Sequence, residues 1–257
     1  MHPLPLTRQH RGLRSYQWTW QHAMRLALLL CLFWLLLWCS MPHIVRGWAQ
    51  LLGWAWPRLG LGPPDAVQLK TVVSLGIPVE VVRTRFFTPA PNLLQWWLGA
   101  GVSVALLAAS WQLSRERLPL IYGLRIVGFL GLFSLLAYEY LSAQAVSDAN
   151  RLLADNMLDI GLAMLWLLPA VHAFVLYIFP MPMLTKALAT LSGLAFIAVS
   201  IPLQAASLAW LASECSVVVA VPLYMLCTFL PQVVSQLGIY GFFMSLAPAP
   251  RGSTSVM

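Results

Sequence analysis

Charge is what this sequence has least of. Asp, Glu, Lys and Arg make up 9% of its 257 residues, against about 25% in a typical soluble domain. A chain so poor in charge cannot clothe a soluble surface, so an ordinary water-soluble domain is excluded. Acids are scarcer than bases, with 8 Asp and Glu against 15 Lys and Arg and a net charge of +7. Cysteine is nearly absent as well: Cys31, Cys39, Cys215 and Cys227 lie in or beside apolar runs, and none forms a CxxC pair. That excludes a disulfide framework and a zinc pattern. HExxH, GxSG and GxGD are missing, so the signatures of membrane-embedded zinc, serine and aspartyl proteases do not occur. No enzyme, cofactor or metal is expected.

What is there is oil in blocks. Hydrophobic residues reach 60%, gathered in runs rather than spread at strand or helix period. Six runs approach the ~20 residues that span the ~30 Å hydrocarbon layer. They cover residues 23–40, 93–111, 121–141, 157–178, 188–211 and 217–244. The expected fold is therefore an all-α membrane protein, a bundle of six transmembrane helices.

Basic residues orient the bundle. With the N-terminus inside, the inner segments carry Arg8, Arg11, Arg14, Arg25, Arg115, Arg117, Arg125, Lys186 and Arg251, and the short outer loops carry only Arg151. Lys and Arg collect on the cytoplasmic side of short loops. Both termini are thus expected in the cytoplasm, with a bacterial inner membrane as the setting. The positive charge is an orienting device, not the footprint of nucleic acid. Arg-rich residues 1–22 precede the first run, and Met41-Pro42-His43 follow it without a small-x-small cleavage site. The first run therefore reads as a retained signal-anchor. Residues 247–257 read as a cytoplasmic tail.

The loop of residues 41–92 is the one candidate extramembrane module. In its first half Ile44, Trp48, Leu51, Leu52 and Ala55 recur at helical spacing, with Trp54 and Trp56 beside them. That predicts a short helix lying in the outer interface, where indole rings favour the headgroup level. The period then switches to two: Val67, Leu69, Thr71, Val73 and Leu75 alternate with Gln68, Lys70, Val72 and Ser74. A strand is predicted, a turn at Gly76-Ile77-Pro78, and a returning strand from Val79 to Phe87. A lone two-stranded hairpin is marginal in water, so it must pack on something. Lys70, Arg83, Arg85, Trp48 and Trp54 are the candidate docking residues for a partner protein. The other outer loops hold acids, so Lys70, Arg83 or Arg85 could instead dock the hairpin on its own bundle.

Four polar residues fall in or near the expected spans: Glu139, Asp159, His172 and Gln232. Such groups are functional candidates by default, although Glu139 and Asp159 lie close enough to helix ends to reach water. His172 follows Pro169 and can bond a carbonyl that the proline frees. Pro169, Pro202, Pro222 and Pro231, with Gln204, Gln232 and Gln236, could line a transport path or simply pack helices. Gly101, Ala105 and Ala109 form a small-residue stripe that favours close helix contact, within the chain or between copies.

Cys215 stands at the start of the sixth run, in Ser213-Glu214-Cys215-Ser216, the kind of place where exosortase-type transpeptidases carry theirs. The Arg and His of that constellation do not follow in later spans. The layout of the first half of the chain, one basic-flanked span followed by a short β-rich outer region and further spans, resembles the small membrane proteins that accompany exosortases. The likeness is one of layout. The leading expectation is a non-enzymatic accessory subunit of an envelope complex that serves secretion, conjugation or surface-polymer assembly. The alternative is a small transporter or channel subunit. Expected partners are the lipid bilayer, other membrane or periplasmic proteins, and a second copy of the chain.

Overall fold

A computed structural model describes residues 20–74, 77–86, 92–140, 143–177, 182–215, 224 and 230–246. The expectations for the basic N-terminus, the first part of the sixth run and the tail lie outside them. In chain order come α1 (Trp20–Arg58), β1 (Val67–Ser74), β2 (Ile77–Thr84), α2 (Leu93–Gln112), α3 (Leu118–Tyr140), α4 (Ala143–Tyr177), α5 (Met183–Cys215) and α6 (Leu230–Ser245). Short 3-10 turns precede β1 and α3.

Five helices, α1 to α5, are long and apolar enough to cross a membrane. The chain is a multi-pass, membrane-embedded protein on that ground. The described part of the expected sixth span is α6, at 16 residues.

The helices fall into two length classes. α2 and α3 have 20 and 23 residues, close to the hydrocarbon thickness at ~1.5 Å per residue. α1, α4 and α5 have 39, 35 and 33 residues, which at the same rise makes each of them ~50–60 Å long. They run past that thickness, and the β-hairpin packs on α1 and α4 at one end.

α1 is the clearest departure from the sequence reading. The signal-anchor and the expected interfacial helix are one continuous helix, with Pro42 inside it. A proline removes one helical hydrogen bond and crowds the preceding turn, but packing overrides the loss. Phe33, Leu37, Met41, Val45, Trp48, Leu52 and Trp56 form one buried stripe along α1 that crosses Pro42 without interruption. Breaking the helix there would divide the stripe.

The end of α1 is specified locally. The Leu61 N–H donates to the Trp56 carbonyl and the Gly60 N–H to the Pro57 carbonyl. These are the two bonds of a Schellman cap, whose left-handed position Gly60 fills at φ 69°. Leu61 is buried beyond it, completing the cap's apolar contact.

β1 and β2 pair antiparallel, with Val67 opposite Thr84 and Val73 opposite Pro78. β2 begins sooner than the turn signal implied, since Ile77 and Pro78 already belong to the strand. Pro78 falls in the same alternate pairing class as Thr84, whose N–H points out of the ladder to Asp155. No ladder bond is lost at Pro78.

One core joins α1, the hairpin, α4 and α5. α2 and α3 contribute nothing to it and pack chiefly on each other. Gly128 sets their separation: a Cβ there would stand 2.8 Å from Leu107 Cγ and 3.0 Å from the Ser103 carbonyl oxygen. Close backbone approach through small residues is the usual mode of helix association in lipid.

Candidate functional site: an anchored hairpin and a polar seam

Four ties fix the hairpin to the helices. The indole of Trp56, fully buried, donates to the Arg85 carbonyl at 3.0 Å and meets Phe86 edge-on. Asp155 on α4 accepts both the Thr84 N–H and the Thr84 hydroxyl at one carboxylate oxygen, at 2.9 and 3.0 Å. One turn along α4, Asp159 takes Arg83 Nη1 at 2.9 and 3.0 Å. Arg46 on α1 lies 3.4 Å from Glu80. Asp155 and Thr84 are buried, at 6% and 1% exposure. Buried polar groups are kept only where they are hydrogen-bonded.

This arrangement sorts the candidate docking residues. Arg83 is engaged by Asp159, within the chain. Trp48, expected at the membrane interface, is 3% exposed, and its indole donates to the Ala198 carbonyl at 2.6 Å. Pro202 supplies the reason. It stands four residues after Ala198 and has no N–H, so the Ala198 carbonyl loses its helical donor, and Trp48 replaces it. Trp54 is exposed, with the Arg58 guanidinium 4.1 Å from its ring centroid. Lys70 and Arg85 have exposed side chains.

β1 keeps a free edge. The Thr84 N–H reaches Asp155, away from β1, and ladder bonds alternate. By the same alternation the N–H groups of Leu69, Thr71 and Val73 face away from β2. No described group pairs with them. Leu69 is 45% exposed and Val73 70%.

The second polar region runs along one face of α5, through Lys186, Thr190, Gly193, Ser200 and Gln204. Gln232 of α6 donates to the Ser200 hydroxyl at 2.8 Å and to Gln204 at 3.3 Å. Gln236 donates to the Gly193 carbonyl at 3.3 Å. The Oε1 atoms of Gln232 and Gln236 are buried with no partner among the described residues. On the α4 side, His172 Nδ1 lies 3.2 Å from Thr190 Oγ1, and the Thr190 hydroxyl donates to the Lys186 carbonyl. That hydroxyl has one proton. His172 Nδ1 must therefore be the donor, which leaves Nε2 bare in the neutral ring. Gly193 lets the three helices meet: a Cβ there would stand 2.8 Å from Gln236 Oε1 and 2.9 Å from Leu168 Cδ2.

His172 and Gln232 thus join one seam, while Asp159 belongs to the hairpin anchor. Glu139 lies on α3, and its side chain is outside the described set, as is that of Cys215. Cys31 and Cys39 are free and exposed on α1. Gly101, Ala105 and Ala109 are exposed on α2; the α2–α3 contact uses Ser103, Leu107 and Gly128 instead. Sequence reasoning missed Asp155, left unnamed among the acids of the outer loops, and Lys186, which it counted as an orienting charge. No cluster of metal-ligating side chains occurs among the described residues.

Compared with known protein families, curated proteins and solved structures, the chain matches none of them.

Proposed function

We propose that this chain is a non-enzymatic subunit of an envelope complex, such as a secretion, conjugation or surface-polymer assembly system. In this reading it sits in a bacterial inner membrane with both termini in the cytoplasm and the hairpin outside. The observation that carries the reading is the asymmetry of the hairpin. One side is tied to the helices by Trp56, Asp155 and Asp159, while the far edge of β1 is unpaired among the described residues and flanked by exposed Leu69 and Val73. An open edge is a template for strand addition, in which main-chain bonds give affinity and alternate side chains give specificity.

The occupant is an extended, acidic segment of a partner protein. Lys70 is exposed on β1 beside the edge, and Arg85, just after β2, is exposed on the same hairpin. A two-fold pairing of β1 with a second copy would bring the two Lys70 ammonium groups close together, and like charges across strands are unfavourable.

The test is a mild-detergent pull-down of the tagged full chain, followed by mass spectrometry. A partner should be lost in Leu69→Glu with Lys70→Glu, while the hairpin keeps its hydrogen-exchange protection. Charge reversal at Arg83 would be a poor probe, because it breaks the Asp159 pair. A solitary protein, or a partner retained by the double variant, would end this reading.

A second reading, a small transporter or channel subunit, is favoured by one observation. The Oε1 atoms of Gln232 and Gln236, unpartnered among the described residues, lie one helical turn apart beside α5, two acceptors that a hydrogen-bond-donating solute could use. Flux into proteoliposomes that falls in Gln232→Leu and not in Lys70→Glu would favour this reading over docking.

A further inference from the structure

Lys186 is the fourth residue of α5, at the end of the bundle away from the hairpin. Its main chain is accounted for: the N–H donates to the Pro182 carbonyl, and the carbonyl accepts from Thr190. Its side chain is not. Lys186 is 6% exposed, and its ammonium meets no acceptor among the described residues. The acids of α4 and α5, Asp148, Asp155, Asp159 and Glu214, all lie towards the hairpin end. Even near a helix end, an enclosed ammonium with no counter-charge is unfavourable. It calls for an anion from outside the chain.

The surroundings say what kind. Lys186 lines a cavity of about 10 Å³ between α1, α4 and α5, with His172 and Thr190 beside it and Leu26, Leu30 and Phe33 on the α1 side. That is room for one water-sized group, too little for a free anion to enter whole. One oxygen of a larger group could enter while the rest stays outside, beside an apolar wall. A phosphate at the membrane surface, carrying acyl chains that lie along α1, has this form. Basic pockets between spans are a known mode of anionic headgroup binding.

We propose that Lys186 holds one phosphate oxygen of an anionic phospholipid at the junction of α1, α4 and α5. The lipid bridges the first helix to the α4–α5 pair where no hairpin does so. The Thr190 hydroxyl, turned to the Lys186 carbonyl, positions the His172 ring at the cavity and does not itself bind.

The test is native mass spectrometry of the full chain with matched phosphatidylglycerol and phosphatidylcholine. The wild type should retain one phosphatidylglycerol with about tenfold preference, the scale of one charge-assisted hydrogen bond. Lys186→Arg should keep the preference and Lys186→Gln should bring it near one. Equal preference in the wild type and Lys186→Gln overturns the site. A third arm adds inorganic phosphate alone: bound lipid displaced by millimolar phosphate overturns the lipid as occupant and leaves a free anion in its place. Should Lys186→Gln fail to fold, Leu30→Trp fills the cavity and keeps the charge. A preference that survives Leu30→Trp also overturns the proposal.

Discussion

The hairpin-bearing unit and the α2–α3 pair are built on different physical terms within one chain. In the first, α1, α4, α5 and the hairpin share a core and are tied by bonds between residues far apart in sequence, such as Trp48 to Ala198 and Thr84 to Asp155. In the second, two helices meet through Gly128, Ser103 and Leu107 and turn Val102, Trp111, Phe129 and Phe133 outward. Exposed apolar side chains would be costly in water and cost nothing in lipid, whose tails are as apolar as they are. Both regions turn apolar side chains such as Leu28, Leu167 and Phe174 outward to the bilayer, but the α2–α3 pair has little beyond its own contact, whereas the hairpin-bearing unit adds a shared core and long-range bonds. Helix length agrees, since the two helices that receive the hairpin, α1 and α4, are both longer than the hydrocarbon layer, as is α5, which shares their core.

The comparison is broken most severely at Trp56. Trp56→Ala removes a fully buried ring and leaves the Arg85 carbonyl without its donor. Large-to-small changes of this kind cost about 3–5 kcal/mol. Denaturation in mild detergent should show that loss, and hydrogen exchange should rise across the hairpin while α2 and α3 keep their protection. If exchange rises equally in α2 and α3, the two regions are one cooperative unit and the distinction fails.

Asp155→Ala comes next. It strands the Thr84 N–H and hydroxyl in a buried site, at a cost of about 1–3 kcal/mol. Exchange at the Thr84 amide should accelerate first. The converse test is Gly128→Val, which forces a side chain against Leu107 and the Ser103 carbonyl. Overpacking costs about 1–3 kcal/mol, here confined to α2 and α3, with hairpin exchange unchanged.

Much of the frame was legible in the sequence because it is written in local patterns. The hydropathy blocks mark the regions of α2 to α5, and the switch from a helical period to alternation at Val67 marks β1 where the structure has it. The continuity of α1 was not legible, because Pro42 is a local signal and the buried stripe that overrides it is tertiary. Trp48 misleads for the same reason. Its indole looks interfacial until Pro202, 154 positions later in the sequence, is seen to free the carbonyl it satisfies. Of the anchor, the complementary charge of the hairpin and the α4 acids could be read. That Asp155 serves a backbone amide while Asp159 serves Arg83 could not, because it depends on how the strand register meets the helix. Lys186 read as an orienting charge because nothing local shows that its side chain is enclosed.

The smallest effect sharpens the comparison by separating two acids one turn apart on α4. Asp159 and Asp155 hold neighbouring residues of β2, and charge alone would rank the Arg83–Asp159 ion pair as the stronger tie. Exposure reverses the ranking. The Arg83 and Asp159 side chains are 30% and 39% exposed, and Asp155 as a residue is 6% exposed. Water solvates the ion pair when it breaks, so such pairs contribute about 0–1 kcal/mol, whereas the Thr84 donors have no water to turn to. A double-mutant cycle of Arg83→Gln and Asp159→Asn should therefore give a coupling below about 1 kcal/mol that weakens with salt, smaller than the loss from Asp155→Ala. A coupling that exceeds that loss would mean the hairpin is held by charge rather than by enclosed hydrogen bonds. Its anchoring would then resemble a salt-sensitive contact between separate proteins more than the core of one.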